Sequence, residues 1–239
     1  ETVRAIRRRA DLGQIRENVE KVKETGNIHQ HLDLIAGLPY EDYESFHRSF
    51  LDVYAMKPDQ LQLGFLKVLK GSYMDEAKEE YEVVYGNRPP YEVLSTRWLP
   101  YEDVMRLKRV EEMVEVYYNS FQFQATMTLL ECCTRDAFRM YEGLGEFYEN
   151  KGYFLRKHSR VSRYEIMWEY ACDQFEDLVE EFRQALTYDL YLRDYIKNPP
   201  SFVRPRDSEY LARVRRFLDE EAENPRILCG YDGFVTKQL

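Results

Sequence analysis

An α+β fold, mostly α, follows from three features of this 239-residue chain. Two short apolar runs, 28–36 and 60–66, are bounded by turn residues and separated by a helical pattern. From about residue 101 to 224 nearly every segment repeats its apolar residues at helical spacing. Hydrophobic residues make up 44% of the chain, enough to bury a substantial core.

Asp11 and Gln14 are spaced as a capping box, and Leu12, Ile15, Val19 and Val22 follow on one helical face. Gly26 stands where that helix should stop. Ile28 to Ala36 reads as a buried strand. Residues 41–56 read as a helix with Tyr43, Phe46, Phe50, Val53 and Tyr54 near one face, ended by Lys57-Pro58-Asp59. Gln60 to Leu66 reads as a second strand. Strand, helix and strand at this spacing imply parallel pairing with a right-handed crossover. Two parallel strands alone make a poor sheet, because such sheets need both faces covered and their edges protected. The chain also opens inside a helical pattern without an initiator Met. Both features read as a piece of a larger sheet, cut from a longer protein.

Residues 72–84 read as helical, 87–90 as a break and 91–100 as an irregular link. Helices are then expected over 101–120, 122–133, 135–150, 162–185, 187–197 and 207–222. Asn198-Pro199-Pro200 ends one of them. The last stretch, RILCGYDGFVTKQL, reads as a small strand or hairpin. The expected division is residues 1–75, the α/β piece, and 76–239, a helical domain.

A net charge of −9 argues against capture of nucleic acid or anionic lipid. No apolar run approaches the roughly 18 residues that span a bilayer, and the first residues have no secretory pattern. The cysteines, Cys132, Cys133, Cys172 and Cys229, show no C-x-x-C spacing. Reduced thiols in a cytoplasmic protein are the simpler reading.

The stretch "HLDLIAGLPYEDYESF", residues 31–46, is the most specific. In parallel α/β proteins ligands sit beyond the carboxyl ends of the strands. Gly37-Leu38-Pro39 is such an end. A glycine there lets a flat ligand or another backbone approach closely. The plainer reading is a tight strand-to-helix turn. Pro39 stiffens that turn, and Glu41 and Asp42 suit the dipole of the helix they begin.

"HLDLIAGLPYED", followed by "PDQLQLGFLKVLKGS", resembles the second half of the radical S-adenosylmethionine core, in particular of enzymes with a cobalamin-binding domain before it. The upstream "VRAIRRRADLGQIRENVEKVKETGN" is similar to helices between the fourth and fifth strands of that partial barrel. "PPYEVLSTRWLPYEDVMRLKRVEEMVEVYYNS" resembles the uncharacterised helical C-terminal domain of a subset of these enzymes. The resemblance implies the trailing half of a radical S-adenosylmethionine α/β barrel followed by that domain. Ile35 and Gly37 match a glycine/isoleucine motif that touches adenine. Asp33 departs from it where glycine stands, and Tyr40 where Glu stands, with Glu41 one residue later. Leu63, Gly64 and Phe65 occupy the strand that offers backbone groups to the adenine edge.

The loop of three thiolates that holds a [4Fe–4S] cluster is absent from these 239 residues. The cluster, the earlier strands and any cobalamin domain are therefore expected upstream of Glu1 in the same polypeptide. S-adenosylmethionine, the 4Fe-4S cluster and a possible cobalamin belong to that parent enzyme, and no cofactor is expected on this segment alone. The implied chemistry is radical hydrogen abstraction from an unknown substrate, with methyl transfer or ring formation as outcomes. The alternative is a non-catalytic helical interaction module with a βαβ start. Exposed strand edges or aromatic surface would favour a homodimer.

Other features have plainer readings. His29 and His31 share a strand face but lack a third metal ligand, and His47 reads as a rim residue. Lys151, Arg156, Lys157, Arg160 and Arg163 interleave with Tyr153, Phe154 and His158. Such a patch can hold a phosphate or stack on a base, though a solvated linker neutralising Glu146 and Glu149 is the simpler account. Cys132 and Cys133 read as small buried hydrophobes.

Overall fold

After one helical turn, α1 (Thr2–Ala5), the Asp11 carboxylate accepts from the amides of Gly13 and Gln14 and starts α2 (Leu12–Glu24). The Gln14 side chain turns forward to Asn18 rather than back to Asp11, so the cap is one-sided. Strand β1 (His31–Ala36), helix α3 (Tyr43–Tyr54) and strand β2 (Gln60–Phe65) follow, with β1 and β2 parallel and Leu34 opposite Leu63. Asp42 and Ser45 cap α3 reciprocally.

The 72–84 segment departs from the expected helix. Only Tyr73–Glu76 is helical (α4), and the chain then turns into β3 (Val84–Tyr85), which pairs antiparallel with β4 (Val93–Ser95). Tyr81 and Val83 are buried, and β-prone residues gain more from that pairing and burial than from one more helical turn. Helix α5 (Tyr101–Val114) ends in a π-turn, Glu115–Asn119, and is followed by α6 (Gln124–Thr134), α7 (Ala137–Asn150), α8 (Arg160–Gln174) and α9 (Val179–Arg193). The single helix expected over 162–185 is broken. Phe175 takes φ −137°, and its ring packs against Tyr170 and Phe182. The break lets α8 and α9 fold onto one another. The stretch expected to start at 187 continues α9 instead.

The computed structural model describes residues 2–9, 11–193, 196–205, 207–228 and 230. They fall into two compact units, 1–197 and 198–239. In the second, Asp207 caps α10 (Ser208–Glu223), and the Glu221 carboxylate accepts from the amides of Arg226, Ile227 and Leu228. The hairpin expected at the C-terminus lies largely outside the described residues. No unit boundary falls at 75/76. Phe138 of α7 is fully buried against the rings of Tyr43, Phe46, His47 and Phe50 of α3. The early α/β piece and the helices that follow share that core.

Helical residues dominate, and among the described residues no barrel closes. The outer edge of β2 is partly covered. Gln60 donates to Gln30 and Leu66 to Ala36, so the backbone groups of Leu61, Leu63 and Phe65 point away from β1. The Asn119 side chain fills one of those places. Its Oδ1 accepts from Leu61 N at 3.0 Å and its Nδ2 donates to Leu61 O at 2.9 Å. The π-turn rotates Asn119 into that position, and removing its amide orphans a donor and an acceptor. Asn119→Ala is expected to lower stability by about 2 kcal/mol, seen as a lower urea midpoint with an unchanged m-value.

Candidate functional site

Alternation along the two strands divides the sheet into unlike faces. Leu32, Leu34 and Ala36 share a face with Leu61, Leu63 and Phe65, and the β2 members of that set are buried under the helices. His31, Asp33 and Ile35 share the opposite face with Gln60, Gln62 and Gly64. That face is open: Ile35, an apolar residue in mid-strand, is 37% exposed. The outer edge of β1 has no backbone partner among the described residues. Its odd-numbered residues, His31, Asp33 and Ile35, present their N–H and C=O groups there.

A groove of about 560 Å³ opens across the carboxyl end of this face. Asp33, Ile35, Gln62 and Gly64 line it from the sheet, and Leu63 and Phe65 border it. Leu38 closes the strand end, and Ser72 and Tyr73 form a far wall. Glu92 and Glu111 lie at the margin. Burial pushes the Glu111 carboxyl above its ordinary value; Lys108 opposes that rise and the Glu92 charge adds to it. A Cβ on Gly64 would meet only Leu34 O, at 3.6 Å. The bare backbone of Gly64 is therefore presented to the groove, not packed under a side chain.

Of the five residues singled out in the sequence, Ile35, Leu63, Gly64 and Phe65 come together at the groove. Gly37 does not line it. It adopts φ +83°, and its Cβ would fall 2.7 Å from Val93 Cγ1. The missing side chain makes room for β4. The glycine thus serves both a turn and a close approach, and what approaches is Val93.

Other residues sit in places that no sequence pattern marks. Glu41 is 8% exposed, and its Oε2 has no hydrogen-bond partner. Burial pushes its carboxyl up to about 7; the Ser49 hydrogen bond opposes this and the Asp42 charge adds to it. Glu142 is buried too, but it accepts from Tyr43 at 2.5 Å, Arg106 at 2.5 Å and Arg139 at 2.6 Å. Burial raises its pKa, and these three bonds more than reverse that, leaving it below the ordinary value. His47 is not at a rim. Its Nε2 lies 2.9 Å from Asp136 and its ring stacks on Phe138. Cys132 is exposed and Cys133 half-buried, so neither is the fully buried hydrophobe expected. His29 and His31 meet edge to face, and no metal-ligand cluster occurs among the described residues. No helix there is long and apolar enough to cross a membrane.

Fold and site together define an α+β protein with a ligand-sized groove at the carboxyl ends of two parallel strands. A family model described as a protein of unknown function (DUF4080) matches residues 79–239, and the chain belongs to that family. No curated protein matches it. The sheet residues of the groove precede the matched segment, while Glu92 and Glu111 fall within it.

Proposed function

We propose that the groove is a nucleoside cleft and that this chain is the trailing part of a radical S-adenosylmethionine enzyme. The observation that supports this most is the open sheet face, with Gly64 bare beside Ile35 and with β1 unpaired along its outer edge. A purine is flat and apolar on its faces with a polar rim. Ile35 and the Gly64 backbone offer a flat apolar floor, and Gln62 and Asp33 offer an acceptor-and-donor margin. About 560 Å³ is within the range of small-molecule sites.

The residues present fit the nucleoside but not the iron–sulfur cluster. Among the described residues the thiols are Cys132, Cys133 and Cys172, the first two on α6 and the third on α8, with no third thiol beside the pair. In this reading the cluster ligands, the missing strands and any cobalamin domain come from an earlier part of the same polypeptide, whose strand pairs with the free edge of β1. Such a cluster would supply the electron for reductive cleavage of S-adenosylmethionine. This chain's own part is to seat the adenine and to shield the groove from water with Leu38 and Tyr73. Pairing of β1 with a second copy is the competing use of the same edge. It requires the isolated chain to dimerise, because Asn119 already occupies the edge of β2 at Leu61.

The test is anaerobic reconstitution of the whole polypeptide with iron and sulfide, followed by reduction in the presence of S-adenosylmethionine. Formation of 5′-deoxyadenosine is expected. A polypeptide that gains no cluster absorbance and releases no 5′-deoxyadenosine contradicts the assignment and favours the interaction-module reading.

A further inference from the structure

A second cleft, remote in sequence from the groove, is built within the family-matched helices. It measures about 570 Å³ and lies among α5, α7 and the start of α8. Arg156, Lys157 and Arg163 line it together with the rings of Tyr148, Tyr153 and Phe154.

The rings are locked. Tyr148 meets Tyr153 at 5.5 Å and Phe154 at 5.4 Å. At its far end Tyr148 shares a 2.7 Å hydrogen bond with the buried Tyr117 hydroxyl. The loop that carries Tyr153 is fixed by His158, whose Nε2 lies 2.8 Å from Tyr153 O. Val116, in the π-turn of α5, closes one side. Such turns interrupt regular helix at a cost and gather at functional sites.

Among the described residues the charges lack carboxylate partners, although the Arg156 guanidinium lies 5.6 Å from the centre of the Tyr153 ring. Arg156, Lys157 and Arg163 make no ion pair among the described residues, in a chain of net charge −9 where most other cations near them are paired. Lys151, which the sequence grouped with them, bonds Glu169 at 2.7 Å and lies outside the cleft, as does Arg160. Lys151 thus neutralises Glu169 rather than the expected Glu146 or Glu149, and Glu149 is approached by Arg109 at 4.0 Å. Glu112 is the one carboxylate in the lining. Three cations against one anion leave an excess of two positive charges, facing preorganised aromatic walls.

We propose that this cleft binds a small planar ring bearing a phosphate dianion. The excess charge matches the dianion. Guanidinium forks suit phosphate oxygens bidentately, and the ring is held against the half-buried Tyr153 and Phe154, which the buried Tyr148 backs. The cleft volume is that of a small-molecule site.

Isothermal titration calorimetry at low salt, on the protein carrying this chain, tests it with phenyl phosphate, inorganic phosphate and phenol as probes. Phenyl phosphate is expected to bind at least about tenfold more tightly than inorganic phosphate, with phenol showing no measurable heat. Arg163→Ala, and separately the double substitution Arg156→Ala with Lys157→Ala, should each weaken phenyl phosphate by at least about tenfold, with circular dichroism unchanged. Lys151→Ala and Gly64→Leu should leave it unchanged, which separates this site from the nucleoside groove. The proposal is overturned by equal affinity for phenyl phosphate and inorganic phosphate, by equal binding of phenol, by no binding of phenyl phosphate at about 10 mM, or by unaltered affinity in the two cleft variants.

Discussion

Gly37→Ala will destabilise the protein by about 3 kcal/mol, combining left-handed backbone strain of roughly 1–2 kcal/mol with overpacking of roughly 1–3 kcal/mol. At φ +83° an alanine is strained whatever the space around it. Here the space is also missing: the new methyl would meet Val93 Cγ1 at 2.7 Å and Cγ2 at 3.3 Å. Val93 cannot easily recede. It is fully buried, and its amide donates to Leu66 O at 2.8 Å, which ties β4 to the end of β2. Urea denaturation of a double-mutant cycle separates the two causes. In a Val93→Ala background the cost of Gly37→Ala should fall by about 1–2 kcal/mol, because the clash is gone and only the backbone strain remains. If Gly37 were free merely to admit a ligand, Gly37→Ala would cost only the backbone strain of roughly 1–2 kcal/mol, and the cycle would show no coupling.

The second large effect is a pH dependence centred on Glu41. Its folded-state carboxyl is pushed up to about 7 from an ordinary 4.5, chiefly by burial. The folded protein therefore holds this proton more tightly than the unfolded chain. The stabilisation linked to it is complete below about pH 4.5 and is lost as pH rises through 7. A rise of about 2.5 units corresponds to about 3 kcal/mol. Between pH 5 and pH 8.5 the wild type should lose about that much stability at this site, whereas Glu41→Gln, neutral throughout, should not. Unfolding free energies of the two proteins should diverge as pH rises from about 4.5 and be fully separated above about pH 7, with the variant more stable at pH 8.5. Parallel curves over the whole range would show that Glu41 is hydrated in the folded state.

The sequence made the regular parts of the fold readable for local reasons. Asp11, Asp42 and Asp207 each start a helix with a side-chain cap, and Gly26 adopts the left-handed conformation its position after α2 suggests. The two apolar runs between turn residues marked β1 and β2, and their parallel register puts Ile35 and Gly64 on one face. What stayed hidden depends on contacts distant in sequence. Phe175 breaks a helix without proline or glycine because its ring packs against two neighbours. Residues 77–83 leave their helical spacing for a turn that bonds Arg97 through Tyr81 O and leads Val84 into pairing with β4. Glu41 reads as a helix-dipole acid and is in fact buried, since the packing that covers it is set by the whole unit. Asn119 shows nothing in the sequence of its role at the β2 edge, because a strand and a π-turn 58 positions apart must meet first. Gly37 read as a place for a ligand or a backbone to approach, and no local pattern could say that the approaching group is the Val93 side chain.

The claim on which the functional reading rests is that the open face of the sheet receives a nucleoside. Gly64→Leu addresses it directly, because a side chain there projects into the groove while its Cβ makes only ordinary contact with Leu34 O. The measurement is equilibrium dialysis of radiolabelled S-adenosylmethionine against the polypeptide that carries this chain, as wild type and as Gly64→Leu, with thermal midpoints recorded for both. The account predicts that the wild type binds and that the variant binds at least about 30-fold more weakly, a loss of about 2 kcal/mol, with its thermal midpoint essentially unmoved. Equal retention of the label by both proteins would contradict it.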